Sequence, residues 1–152
     1  MKNRIPLFSS RFLLFPLLFL FGAVGYYLIE VAFRGYSHWS MALCGGICLC
    51  LIYLTNRRLS RRSLLLRALL GALIITAVEF VAGCILNLCL HWNIWDYSHL
   101  PLNLLGQITP VFSGIWFLLS IPVCVLSSFL SNRIAASQLY GRRSRRGIEH
   151  IN

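Results

Sequence analysis

Two of the four acidic side chains in this sequence, Glu30 and Glu79, sit inside long apolar runs. An ionised carboxylate at the centre of a membrane helix costs about 2.5–3.5 kcal/mol on insertion scales, so it needs a partner, water or a task. Arg34 follows Glu30 at the spacing and in the order that favour an ion pair along a helix. Arg34 could instead reach across to Glu79 or Asp96. Glu79 has no basic residue one helical turn to either side. The expectation is one buried polar cluster of Glu30, Arg34, Glu79 and Asp96. Such a cluster would lock a helix bundle, hold a ligand or proton, or simply snorkel to the membrane surface.

A second constellation runs from His91 to Gln107. Trp92, Trp95 and Tyr97 suit a headgroup layer, where an aromatic body meets a polar tip. Asp96 and Ser98 can cap a helix or turn. Asn103 and Gln107 are one helical turn apart and could hydrogen-bond between helices. The segment reads either as an interfacial re-entrant turn or as the floor of an outward pocket lined by Asp96, Asn103 and Gln107. His38, His91 and His99 share that end with Asp96, but their spacings match no metal motif, so no metal or cofactor is expected. Ser98 lacks the flanking glycines of a nucleophile elbow, so no catalytic residue is assigned. Cys44, Cys48, Cys50, Cys84, Cys89 and Cys124 lie within apolar runs without Cys-x-x-Cys spacing. They read as packing residues.

The elements that position these groups follow from composition. Of 152 residues, 58% are hydrophobic and 12% charged, and the mean hydropathy is +0.73. A soluble domain of this size cannot hide that much apolar surface, which excludes a soluble enzyme and points to an all-α integral membrane protein. Four apolar stretches predict a four-transmembrane-helix bundle, with helices over 12–33, 40–56, 64–90 and 108–131 and a basic tail over 132–152. The second helix is short and needs Trp39 and Asn56 to reach both interfaces. The third is long enough to tilt or to emerge from the bilayer. Glu30 lies about 27 Å along its helix from Phe12, near the far interface. The first stretch reads as an uncleaved anchor, because no small-residue cleavage site follows it. No linker divides the chain, so residues 1–152 form a single membrane domain.

Thirteen of the 14 basic residues fall on one side of this map, at 2–11, 57–67 and 133–146; Arg34 is the exception. That asymmetry places both termini in the cytoplasm and the chain in the cell membrane. The formal net charge of +10 is thereby a topology signal, and no nucleic-acid partner is expected. The Arg142–Arg146 cluster could also meet anionic headgroups. Glu30, Trp39 and Gly45-Gly46 are echoed by Glu79, Trp95 and Gly106, which suggests two pseudo-repeated helical hairpins. Gly45, Gly46, Gly71, Gly83 and Gly106 would permit the close helix contacts that such a pairing needs.

Glu30 through Arg34, His38-Trp39-Ser40-Met41 and Gly45-Gly46, then Glu79-Phe80 and Gly83, then Trp95-Asp96-Tyr97-Ser98 with Asn103 and Gly106, together resemble the CmpB-type ABC-transporter permease family over roughly residues 20 to 120. Small animal four-helix membrane proteins look similar. The resemblance implies a multi-pass transport component and marks Glu30, Glu79, Gly83, Trp95, Asp96, Tyr97, Ser98, Asn103 and Gly106 as its characteristic positions. It also implies a separate ATPase subunit, since no phosphate-binding loop is present here. Four short helices enclose little volume, so a permeation path would call for a homo-oligomer within the lipid bilayer.

Three functions compete. The first is a permease component binding a cation or polar solute at Glu30, Glu79 and Asp96. The second is a non-transport accessory or assembly subunit whose acids only lock the bundle. The third is a membrane enzyme acting on lipid headgroups, with the carboxylates as acid and base; the missing nucleophile and metal motifs weigh against it, and the expectation is a non-enzyme. Co-purification of an ATPase separates the first from the second.

Overall fold

A computed structural model describes the backbone of residues 7–149 and the side chains of residues 13–133. The side chains of Lys2, Arg4, Arg11 and the Arg142–Arg146 cluster lie outside the described residues. Among those described, four helices are long and apolar enough to cross a membrane: α1 (Leu7–Arg34), α2 (Trp39–Arg58), α3 (Leu64–Gly83, prolonged by a π-helical turn, Cys84–Cys89) and α4 (Pro110–Glu149). The protein is an all-α four-helix bundle of the multi-pass membrane class. Large apolar side chains such as Leu17, Leu28, Leu73 and Leu118 stand exposed on its outer faces, where acyl chains meet them.

Local sequence explains the helix ends. Gly35 closes α1 at φ 78°, a left-handed position that costs glycine no Cβ clash, and its N–H donates to the Val31 carbonyl at 2.9 Å. His38 caps α2, its Nδ1 accepting from the Ser40 amide at 3.3 Å. The second helix takes in Trp39 and Asn56, as its length required. Ser63 caps α3 by accepting from the Leu66 amide. Pro110 opens α4, while Pro16 and Pro122 lie inside α1 and α4.

Two boundaries differ from those expected. The third helix is not one α-helix to residue 90. Its last turn widens to the π form, and this brings Asn87, 5% exposed, into the interior. The fourth span ends at Arg133, close to the bound expected, but its helix continues beyond it to Glu149. Ala135, Ala136, Gln138, Leu139 and the arginines beyond are good helix formers and carry the helix through Gly141 and Gly147.

Two antiparallel hairpins make the bundle. The backbone of α1 packs along α2 and that of α3 along α4, and α2 joins the hairpins by lying against both α3 and α4. Glycines set the close approaches. A Cβ on Gly22 would stand 2.6 Å from the Gly45 carbonyl oxygen, and one on Gly45 would run into the Tyr26 Cβ. Gly71 faces Ser120 and Gly83 faces Gln107 just as tightly. Without a hydrophobic effect between helices in lipid, such close contact is a main source of association. Between the hairpins lies a core of Cys48, Ile52, Ala72, Ile75, Trp116 and Cys124.

The hairpin turns at 35–38 and 90–109 share one end, called distal here. The 59–63 turn marks the opposite, basic end. A polar knot lies just inside the basic end. Asn56 Nδ2 donates to the Cys124 carbonyl and to Ser128 Oγ, both at 3.1 Å, while Arg67 Nη1 donates to Asn56 Oδ1 at 2.9 Å and to Ser128 Oγ at 2.8 Å. Arg67 is thus a cross-bundle tie among α2, α3 and α4 as well as a topology charge. Asn56→Ala should lower stability by about 1–2 kcal/mol, read as an earlier thermal transition in detergent. An unchanged transition would show that the knot contributes nothing.

Candidate functional site

The last turns of α1 carry the first half of the site. Arg34 Nη1 donates to Glu30 Oε1 at 3.0 Å, the expected pair along the helix. Its Nη2 donates to the Ile94 carbonyl at 2.6 Å and to Tyr36 Oη at 3.2 Å. Ser37 Oγ donates to Glu30 Oε2 at 2.5 Å. Arg34 therefore ties α1 to the 90–109 loop. Its polar contacts are with Glu30, Tyr36 and Ile94 rather than with Glu79 or Asp96.

Glu79 forms the second half, on α3. Tyr97 Oη donates to Oε1 at 3.0 Å and Trp116 Nε1 donates to Oε2 at 2.9 Å. Each carboxylate oxygen thus has a neutral donor. Among the described residues the one ion pair is Arg34 with Glu30, and Glu79 is 5% exposed without a cationic partner. Burial, reinforced by the neighbouring Glu79 charge, pushes the Tyr97 hydroxyl well above its ordinary range, so it stays a proton donor to the carboxylate.

The loop between α3 and α4 is a stapled structure. Asn87, in the π turn, donates to the Trp95 carbonyl at 3.0 Å and to Gln107 Oε1 at 2.8 Å, and its Oδ1 accepts from the Ile94 amide at 2.7 Å. Asn103 donates to the Ser98 and Leu100 carbonyls and accepts from the Gly106 amide. Gln107 is 4% exposed, and its side-chain amide also donates to the Leu105 carbonyl at 2.9 Å. Asn103 holds the loop's own backbone, whereas Gln107 also ties the loop to the helical turn that carries Asn87. Gly106 stands at φ 69°, where a Cβ would come within 2.9 Å of Asp96 Oδ1.

Two aromatic placements correct the headgroup reading. Trp95 is 6% exposed and donates through Nε1 to the Gln107 carbonyl at 3.1 Å. Tyr97 points inward to Glu79 and stacks on Phe112 with centroids 4.4 Å apart. Trp92 does stand exposed, packed against His38 and Trp39 at 5.4 and 6.1 Å.

Asp96 also departs from the expected single cluster. It faces its own turn, where Oδ1 accepts from the Ser98 amide at 2.8 Å and Oδ2 from Ser98 Oγ at 2.9 Å. Those bonds hold its carboxyl below the usual carboxylate range, the amide bond most. A depressed acid contributes order that is complete above its unfolded pKa and is lost as pH falls through the lower folded value. The Ser98 amide resonance should therefore shift only at pH below ordinary aspartate titration. A midpoint at or above the ordinary value would contradict the turn.

These elements border a partly open distal cavity of about 720 Å³. Of the residues expected to form a site, Glu30, Arg34, Trp95, Asp96 and Tyr97 line it. Asn103 and Gln107 lie outside it, so its floor is not the one expected. Glu79 stands behind the wall, bonded to two residues that form it. Three further aromatics of the wall, Tyr26, Phe112 and Trp116, escape a reading of the sequence because they sit in apolar runs whose inward faces are set only by helix register. Asn87 did leave a signal, an asparagine inside an otherwise apolar stretch. Among the described residues no group of three or more His, Cys, Asp or Glu gathers in a metal-holding arrangement.

No curated protein and no solved structure matches the chain. A family model does, and its match takes in all four spans, the Glu30–Arg34 pair, Glu79 and the whole distal loop. The chain matches this model over residues 4–142 and belongs to the family described as "Putative ABC-transporter type IV".

Proposed function

We propose that the protein is a permease component that works with a separate ATPase subunit and binds a cation at its distal acidic site. Glu79 carries this reading. A buried carboxylate in a membrane span, without a cationic partner among the described residues, is costly to keep unless it meets a positive charge during function. Glu30 and Asp96 line the cavity beside it and add to its negative field. The positive-inside asymmetry supports a distal end facing away from the cytoplasm, with both termini cytoplasmic in the cell membrane.

The accessory-subunit reading draws on a different observation, the Glu30–Arg34 pair, which is already neutralised and joins α1 to the loop. One experiment separates the two. Glu79→Gln keeps both neighbours satisfied, since the amide oxygen can accept from Trp116 and the amide nitrogen can donate to the Tyr97 hydroxyl. The variant should fold with a thermal transition close to that of the parent. It should lose at least ten-fold in affinity for tetramethylammonium, used as a minimal cationic probe. An ATPase subunit should co-purify with the tagged parent and the variant alike. Unchanged probe affinity in the variant, or no ATPase with either protein, would remove the transport reading and leave the accessory one.

A further inference from the structure

The two hairpins leave α1 and α4 apart. Tyr26 of α1 meets Trp116 of α4 across the gap, with ring centroids 5.9 Å apart. Above these rings is the distal cavity. Below them, toward the basic end, runs an apolar groove of about 180 Å³ between the same two helices. Gly25, Leu49, Ile52, Leu119, Val123 and Leu126 are among the residues that line it. Tyr26, Ile29 and Trp116 line both spaces, so cavity and groove adjoin. Both lie along a seam between membrane-spanning helices.

The wall where they meet has a definite chemistry. Tyr26 and Trp116 face both spaces, and Tyr97 and Phe112 continue the aromatic wall on the cavity side, with Phe112 stacked on Tyr97 and 6.3 Å from Trp116. A ring face attracts a positive charge, and desolvation strengthens that attraction. Glu79 accepts hydrogen bonds from two of these residues, through the Tyr97 hydroxyl and the Trp116 indole. A carboxylate on the N–H or O–H edge pushes electron density toward the ring and makes its face a better cation receptor. Glu30 and Asp96 line the cavity with His99, and Glu79 stands behind its wall, against the single guanidinium of Arg34, whose donors already engage Glu30, Tyr36 and Ile94. The field therefore selects against an anionic head. A small inorganic cation would use neither the ring faces nor the groove.

We propose that the cleft between α1 and α4 takes a lipophilic organic cation, with its ammonium head against the aromatic wall and its apolar tail in the groove, entering sideways from the bilayer. This deepens the transport reading and rests on it for the acidic head site. Charge complementarity, the continuity of the two spaces and their shared aromatic wall name the occupant.

The test compares head and tail in protein reconstituted into nanodiscs. Labelled tetramethylammonium reports the head site, and dodecyltrimethylammonium competes for it. The bilayer concentrates the tailed compound by itself, so its apparent affinity alone decides nothing. That enrichment is the same for any variant, which makes a groove-filling substitution the discriminating arm. Gly25→Leu is suited to this because a Cβ at Gly25 meets no atom within 4 Å. It should weaken competition by dodecyltrimethylammonium at least five-fold while leaving tetramethylammonium within two-fold of the parent. Leu126→Trp, which narrows the groove from the α4 side, should act in the same direction and guards against a folding defect in the first variant. If both variants weaken head and tailed probes equally, or weaken neither, the tail does not use the groove and the proposal falls while the Glu79 site stands. If tetramethylammonium does not bind the parent, or binds Glu79→Gln as well as the parent, the proposal and the transport reading fall together.

Discussion

Gly45→Leu is expected to break the first hairpin. A Cβ at that position collides with the Tyr26 Cβ and approaches the Gly22 carbonyl oxygen to 2.7 Å, and neither is the free end of a flexible chain. The helices must separate to admit the side chain, which removes the contacts that hold α1 on α2. Overpacking a close contact costs about 1–3 kcal/mol, occasionally more, and two rigid neighbours place this change at or beyond the top of that range. Tyr26 would move with α1, so the distal cavity would lose part of its wall. The measurement is the thermal transition and monodispersity of the purified variant in detergent. Gly25→Leu, one α1 glycine facing open space, serves as the matched control. Equal stability of the two variants would show that the Gly22–Gly45 crossing does not hold the hairpin together.

The second large effect is expected at Asn87. Replacing it by Ala removes three hydrogen bonds at once and leaves the Ile94 amide, the Trp95 carbonyl and Gln107 Oε1 without their partner. Each buried polar group orphaned in this way costs about 1–3 kcal/mol, less whatever the loop regains by opening to water. The loop should therefore open rather than the bundle unfold. Hydrogen exchange across residues 90–109 should accelerate by two orders of magnitude or more, with the spans nearly unchanged, and Trp95 emission should move to the red. Asn87→Asp is the informative companion, because it keeps the acceptor for the Ile94 amide but loses the two donated bonds. Retained protection in Asn87→Ala would mean that Asn103 and Gln107 hold the loop without it.

How much of this was written in the sequence depends on range. The four spans follow from hydropathy because a bilayer demands a long apolar run whatever the helix packs against. The Glu30–Arg34 pair follows from helical spacing, and the Asp96–Ser98 turn from two short polar side chains two positions apart. The partner of Glu79 does not follow. Trp116 is 37 positions away, and its meeting with Glu79 is fixed by how α3 and α4 cross, which no local pattern encodes. Tyr97 misleads for a related reason: an aromatic beside a membrane end suits the interface equally well, and only the π turn and its Asn87 staples turn it inward. Arg67 reads as one of five clustered arginines, and its role in tying three helices depends on Asn56 and Ser128 lying opposite it.

The length of α4 has a mechanical consequence. At 1.5 Å per residue, its 40 residues make a rod about 60 Å long, twice the thickness of a hydrocarbon core. Hydrogen-bonded backbone connects the arginine-bearing end to the indole that touches Glu79. The weak joint is Pro122, which lacks the N–H that would brace the turn before it. It lies between the arginine-bearing shaft and Trp116, within the span Pro110–Arg133. A bend of about 3° there would swing the Glu149 end, about 40 Å away, by about 2 Å and Trp116, about 9 Å away, by about half an ångström.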